Sequence, residues 1–278
     1  MEILTRTRAT WRACMYTAVA IAIGTFAAFG AAQTPVAQTT ASSTTLQQQR
    51  ESFRAAYAAA RTGAAWRPLA NGLESYPLYP YLEAAALQHD IKNATRAEID
   101  AYLQRYAGLI PAGDLREAEL RWLAKQKDWT GFQHFYRPGL GDTLTCDALQ
   151  ARLAQGEPLD FERDLAELWQ QTSLPSACQP VLDAAFVQGL LTPQRVWDRI
   201  ERAADAGRSS TISQSAAWLT GDDARAANRI ADAVASPADF LKKADTLADT
   251  PRNREAVSRA LTRFARRHSA KAIDDWRS

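Results

Sequence analysis

Cysteine and histidine are scarce, three of each in 278 residues, and they are scattered, so no clustered ligand set for a multi-metal site exists. Thirteen Gly and twelve Pro are too few and too dispersed for collagen-like or low-complexity material. Neither sign of charge dominates, with 33 basic and 31 acidic residues. The dense basic footprint of a nucleic-acid binder is therefore missing, and nucleic acid is excluded as a partner. Catalytic motifs are missing too: no GxSxG elbow, no GxxxxGKS/T loop, no HExxH and no GxGxxG occurs. No cofactor, no metal and no catalytic residue is assigned. What the chain does have is 46% hydrophobic and 23% charged residues, enough apolar surface for a folded core and too much for a disordered polymer.

Arg6, Arg8 and Arg12 precede an apolar run over residues 15–29, and Gly30, Ala31 and Ala32 follow it. A basic segment, a short apolar run and small residues read as a secretory signal peptide, residues 1–32, cleaved after Ala32. The run falls short of the roughly 20 apolar residues that span a bilayer, so no stable membrane insertion is expected. Removing this segment takes away three Arg and one Glu, and 33 basic against 31 acidic residues become 30 against 30. Residues 33–45, QTPVAQTTASSTT, are small, polar and aperiodic and read as a flexible leader. Cys14 leaves with the signal peptide. Cys146 and Cys178 then form an even pair in an oxidising compartment, and a disulfide between them stabilises by roughly 3–4 kcal/mol on the chain-entropy model.

From Leu46 onward the signals are those of short helices in series. Thr95 lies three residues before Glu98 as a capping box, and Ile99, Leu103 and Tyr106 follow at helical spacing. Thr192 and Pro193 supply an N-cap and a first-turn proline, after which Val196, Trp197, Ile200 and Ala204 share one face until Gly207. Ser236-Pro237 and Thr250-Pro251 open two more segments. The last carries Val257, Leu261 and Phe264 as its apolar stripe, with Arg259, Arg263, Arg266 and Arg267 on the opposite face. Those arginines read as a solvated face or as a surface for an anionic partner. Period-two runs flanked by hairpin turns are absent. About fourteen helices of three to four turns are expected, and the fold class is all-α, an α-solenoid or superhelix of short helix pairs. Trp122, Trp129, Trp169, Trp197 and Trp218 recur loosely and read as core. His89, His134 and His268 have no partner at ligand spacing and read as surface or packing residues.

One segment stands apart. Tyr76, Pro77, Leu78, Tyr79, Pro80, Tyr81, Leu82 and Glu83 spell YPLYPYLE, a rigid aromatic link running into a helix that continues to His89. This run resembles a signature near the start of the soluble lytic murein transglycosylases, which act in peptidoglycan turnover in the periplasm. Residues 168–178, LWQQTSLPSAC, are similar to a second family pattern, L-W followed by S-x-P-x-A-C.

The resemblance implies that residues 46–278 are the non-catalytic superhelical region that precedes a lysozyme-like catalytic domain, with a periplasmic location. In that domain a glutamic acid of a Glu-Ser motif, followed by G-L-M-Q, protonates a glycosidic oxygen in peptidoglycan. Glu-Ser occurs here at Glu51-Ser52 and Glu74-Ser75, and neither is followed by G-L-M-Q. The expectation is thus a chain truncated before the catalytic domain and inactive alone. The implied partners are peptidoglycan glycan strands and a separate catalytic domain or envelope proteins. The competing reading is a periplasmic helical-repeat adaptor that binds proteins or glycan strands.

Overall fold

The computed structural model describes residues 37–267, and its regular elements are all helical. They are α1 (Ala37–Arg61), α2 (Tyr79–His89), α3 (Arg96–Arg105), α4 (Ile110–Gln126), α5 (Trp129–Phe135), α6 (Asp142–Ala154), α7 (Ala166–Gln170), α8 (Gln179–Val187), α9 (Pro193–Asp205), α10 (Ser209–Ala216), α11 (Gly221–Ala235), α12 (Pro237–Leu241) and α13 (Pro251–Arg267). Single turns of tighter or wider helix occupy some of the links, such as Arg67–Ala70 and Phe161–Leu165. No strand occurs among the described residues, and no described helix is long and apolar enough to cross a membrane. The signal-peptide residues 1–32, Cys14 and His268 lie outside the described residues. The chain divides into two compact units, Met1–Gln47 and Gln48–Ser278; the cores, the cleft and the disulfide all belong to the second.

The helix boundaries follow local chemistry. Thr95 Oγ1 accepts from the Glu98 N–H at 3.2 Å while the Thr95 N–H donates to Glu98 Oε2 at 2.8 Å, closing both halves of the capping box of α3. Asp128 caps α5 by accepting from the Gly131 N–H at 2.9 Å. Thr192 caps α9, and Gly207, at φ 73°, ends it in a conformation that a side chain disfavours. The first helix differs from expectation. It begins at Ala37, inside the stretch read as a flexible leader. No proline or glycine separates Ala37 from Arg61, so the helix extends back through the Gln, Thr and Ser residues once its later turns are formed.

Burial is organised as three clusters in chain order, as expected where each helix pair packs chiefly on its neighbours. The first gathers Ala56, Trp66, Leu73 and Leu82. The second holds Ile99, Leu115, Leu120, Phe132 and Leu144. The third is built on Leu165, Trp169, Val181, Trp197, Ile200, Trp218 and Ile230. Cys146 and Cys178, buried in the third cluster, are joined in a disulfide with Cα atoms 4.9 Å apart, tying α6 to the turn before α8. The arrangement is an all-α solenoid of short helix pairs.

Helix α13 is rotated relative to its sequence pattern, with Val257 and Phe264 only half-buried. Its buried face is Asn253, Ala256 and Ala260, while Leu261 of the apolar stripe is 52% exposed. Packing against α11 and α12 selects small residues, because Ala226, Ala227, Ala231 and Ala233 already bring α11 close. Asn253 fits this face because its polar atoms are used: its Oδ1 accepts from Arg229 at 2.6 Å and its Nδ2 donates to the Ala248 carbonyl at 2.7 Å. Of the four arginines opposite the stripe, Arg259 and Arg263 are engaged by the protein, Arg266 is exposed, and the Arg267 side chain lies outside the described residues. Arg259 pairs with Asp205 at 2.6 Å and with Glu255 at 3.0 Å, and Arg252 lies 3.7 Å over the Trp197 ring. The Arg263 guanidinium packs where a β-carbon on Gly207 would sit. These contacts bind α13 to α9.

Candidate functional site

The Tyr/Pro segment forms a corner that ties four parts of the chain together. The Tyr76 ring lies 5.5 Å from Phe53 on α1, and the Tyr79 ring meets Trp66 edge-on at 6.3 Å. Pro80 and Leu82 are buried, and the Pro80 carbonyl accepts a hydrogen bond from Tyr102 of α3 at 2.8 Å. Proline in the first turn is compatible with α2, which opens at Tyr79. Pro77 and Leu78 face outward at the turn, and Tyr81 is half-buried.

Glu83, the last residue of this segment, points from the corner into a cleft of about 890 Å³ lined by the end of α1, residues 66–68, α2 and α3. Trp66 and Tyr102 contribute the apolar wall, and Arg67, Glu83, His89, Asp90, Glu98 and Arg105 contribute charge and hydrogen-bonding groups. Gly63, at φ 73°, is what lets His89 pack here, since a β-carbon would overlap the imidazole. Glu83 Oε1 lies 3.8 Å from the Arg105 guanidinium, beyond hydrogen-bond reach, and Glu83 Oε2 is buried without a hydrogen-bond partner. Glu98 is held below the usual carboxylate range by the Thr95 N–H and hydroxyl. Burial pushes the Tyr102 hydroxyl above its ordinary value, with Glu83 adding to the effect, so it stays a neutral donor.

The lining contains no Ser, Thr, Cys or Lys; its convergent polar groups include carboxylates, guanidinium groups, an imidazole and a phenol. Among the described residues no group of three or more His, Cys, Asp and Glu is placed to hold a metal ion. Glu51-Ser52 and Glu74-Ser75 are exposed and do not line the cleft. His134, which the sequence pattern leaves without a partner, is hydrogen-bonded by Nε2 to both carboxylate oxygens of Asp100 at 2.8 and 2.9 Å. Thirty-four residues separate the two, so no local spacing could have signalled the pair.

The second motif region is a junction. Trp169 donates its indole N–H to the Arg195 carbonyl at 3.1 Å and packs 5.9 Å from Trp218. Arg199, only 4% exposed, donates to the Trp169 and Gln171 carbonyls at 3.1 and 2.9 Å, and Arg202 adds a bond to Trp169 O at 2.9 Å. These bonds satisfy the carbonyls at the end of α7. Burial, followed by the neighbouring Arg202 charge, lowers the Arg199 pKa to about 10, so it remains a cation at neutral pH.

No family model matches the chain. It is 27% identical over 203 residues to the soluble lytic murein transglycosylase of Escherichia coli and 26% identical over 203 residues to that of Salmonella typhimurium. It aligns with the solved structure of the 70 kDa soluble lytic transglycosylase from Escherichia coli at TM-score 0.67 and 26% identity, over 82% of this chain and 38% of that one. An inactive mutant of the lytic transglycosylase Slt from Pseudomonas aeruginosa aligns at TM-score 0.61 and 28% identity, over 83% and 38%. This chain resembles the soluble lytic murein transglycosylases. The likeness to these transglycosylases covers 72% of this chain and 32% of the curated relatives, so the chain spans about a third of their length. It covers the helical superhelix that contains both the Tyr/Pro corner and the disulfide-linked junction.

Proposed function

We propose that this chain is a periplasmic scaffold, related to the soluble lytic murein transglycosylases, that holds peptidoglycan glycan strands and does not cleave them by itself. The observation that carries this reading is the alignment of more than four-fifths of the chain with the 70 kDa transglycosylase at TM-score 0.67. The signal-like residues 1–32 and the buried disulfide support export to an oxidising compartment. The two exposed Glu-Ser pairs, neither followed by G-L-M-Q, supply no acid for glycoside cleavage. Purified protein incubated with sacculi is expected to be retained on the insoluble polymer and to release no anhydromuropeptides. Release of those products would overturn the non-cleaving assignment, and absence of retention would overturn the scaffold.

Exposed Phe186 (41%) and Val187 (84%) at the end of α8 favour a second reading, a helical adaptor for envelope proteins. Soluble glycan separates the two. It competes retention away if the polymer is the ligand and leaves protein–protein capture untouched.

A further inference from the structure

We infer that α13 presents a self-association surface whose occupant is the α13 of a second copy of this chain, packed antiparallel on a two-fold axis. The inference goes beyond the scaffold reading and does not depend on what the chain binds. It begins from the rotation of α13. Asn253, Ala256 and Ala260 are buried, which leaves Val257 and Leu247 half-buried and Leu261 52% exposed along an open groove of about 320 Å³. Helices of a solenoid cover such a face with a neighbour, or carry a polar outer face where they have none. Arg254, Val257, Ser258 and Leu261 line this groove at positions i, i+3, i+4 and i+7, the four corners of a hole that takes one side chain from a facing helix. The side chain that fits stands on the same face, Leu261 itself. A two-fold contact needs that combination, since one surface must supply both hole and knob. With the axis level with Arg259, Leu261 of each copy meets Val257 of the other, and Arg254 lies level with Phe264. Charge selects this direction. Antiparallel packing sets the positive end of each helix dipole beside the negative end of the other, whereas parallel packing would set Arg254 against Arg254. At the rim Arg254 pairs with Asp249 at 3.5 Å, so no net charge calls for a strongly acidic or basic partner. The contact is confined to one 17-residue helix from each copy, less than a stable interface usually buries, so the dimer is weak and concentration-dependent.

The test is sedimentation equilibrium of the purified protein at rising concentration. Reversible dimerisation is expected. Leu261→Asp places a carboxylate in the hole of each copy and should weaken the dimer about a hundredfold. Its circular dichroism spectrum should be unchanged, because Leu261 is exposed in the single chain. Ile110→Asp, a like change at the 71% exposed start of α4, should leave the dissociation constant as it was. A monomer at every concentration overturns the inference and leaves the groove to a different protein or to another segment of this chain. A dimer that survives Leu261→Asp, or that is lost with Ile110→Asp, also overturns it and puts the contact elsewhere.

Discussion

Between α1 and α6 the helices are joined mainly by large side chains, whereas from α7 to α13 large side chains such as Trp169, Ile200 and Ile230 share the core with a high density of buried alanines and with bridging arginines. In the first region Leu73, Leu82, Ile99, Leu115, Leu120 and Phe132 are fully enclosed, and aromatic contacts such as Phe53 of α1 with Tyr76 at 5.5 Å join separate elements. In the second, Ala203, Ala227, Ala233, Ala256 and Ala260 allow close approach, and Arg199, Arg252 and Arg259 reach across to carbonyls, a Trp ring and carboxylates. The contrast teaches that one solenoid can be held by filling volume or by removing it. The core of the first region and the alanine-lined face of α11 should therefore fail under opposite substitutions.

The largest effect is expected from truncation in the first region. Phe132→Ala removes a completely buried ring and should cost roughly 3–5 kcal/mol, measured by urea unfolding. The converse applies to α11, where Ala227 is completely buried against close neighbours. Ala227→Leu should cost about 1–3 kcal/mol through overpacking. Hydrogen exchange should place each loss in its own half, because solenoid stability is a sum of neighbouring terms. If Ala227→Leu is neutral, the second region has slack and the comparison breaks.

How much of this was readable depends on the range of the interaction. The Thr95–Glu98 box and the Thr192-Pro193 cap are complete within four residues, so sequence and structure agree. The rotation of α13 differs from the pattern because a stripe of Val257, Leu261 and Phe264 fixes the buried face only when nothing else competes. Here the opposite arginines have Trp197, Glu201 and Asp205 to reach, and the alanines have α11. The cleft was half legible. YPLYPYLE marked the corner, and Glu83 ended it, but Arg67, His89, Glu98 and Arg105 converge only after α1, α2 and α3 pack. Arg199 gives no local signal either, since its acceptors lie 28 and 30 residues earlier.

Acid should separate the regions next. In the first, Glu119 is 5% exposed, and burial raises its pKa, opposed by Arg96 and reinforced by Asp128. A raised folded value means that its ionised form is disfavoured in the native state, so stability is regained as pH falls through that raised value and the gain is complete once pH is below the ordinary carboxylate value. At the junction of the two regions, just before α7, burial alone would raise Asp164. Hydrogen bonds from Arg163 and Arg152, each at 2.7 Å, and from the Asp160 N–H at 2.9 Å outweigh it and hold the carboxyl well below its usual range. That depressed value contributes stability above the unfolded pKa, and the contribution is lost as pH falls through the folded one. Between neutral pH and about pH 3, protection factors in α4 should rise relative to those around α6 and α7. Glu119→Gln should remove the gain and Asp164→Asn the loss. A uniform change across the chain would contradict the assignment.

The smallest effect bears on how each region satisfies a carbonyl at a helix end. At the end of α7 the acceptors are held by charged donors, Arg199 and Arg202. At the start of α2 the Pro80 carbonyl is held by one neutral phenol, Tyr102, whose ring is already buried beside Leu103 and Ile99. Tyr102→Phe keeps that ring and deletes only the donor, so it should cost about 1–2 kcal/mol in urea unfolding. Arg199→Met, which deletes a charged donor to two carbonyls while keeping an apolar stem, should cost more than Tyr102→Phe. Should the two come out equal, desolvation of the Arg199 cation offsets its bonds, and arginine in the second region serves to fill and fix geometry more than to stabilise.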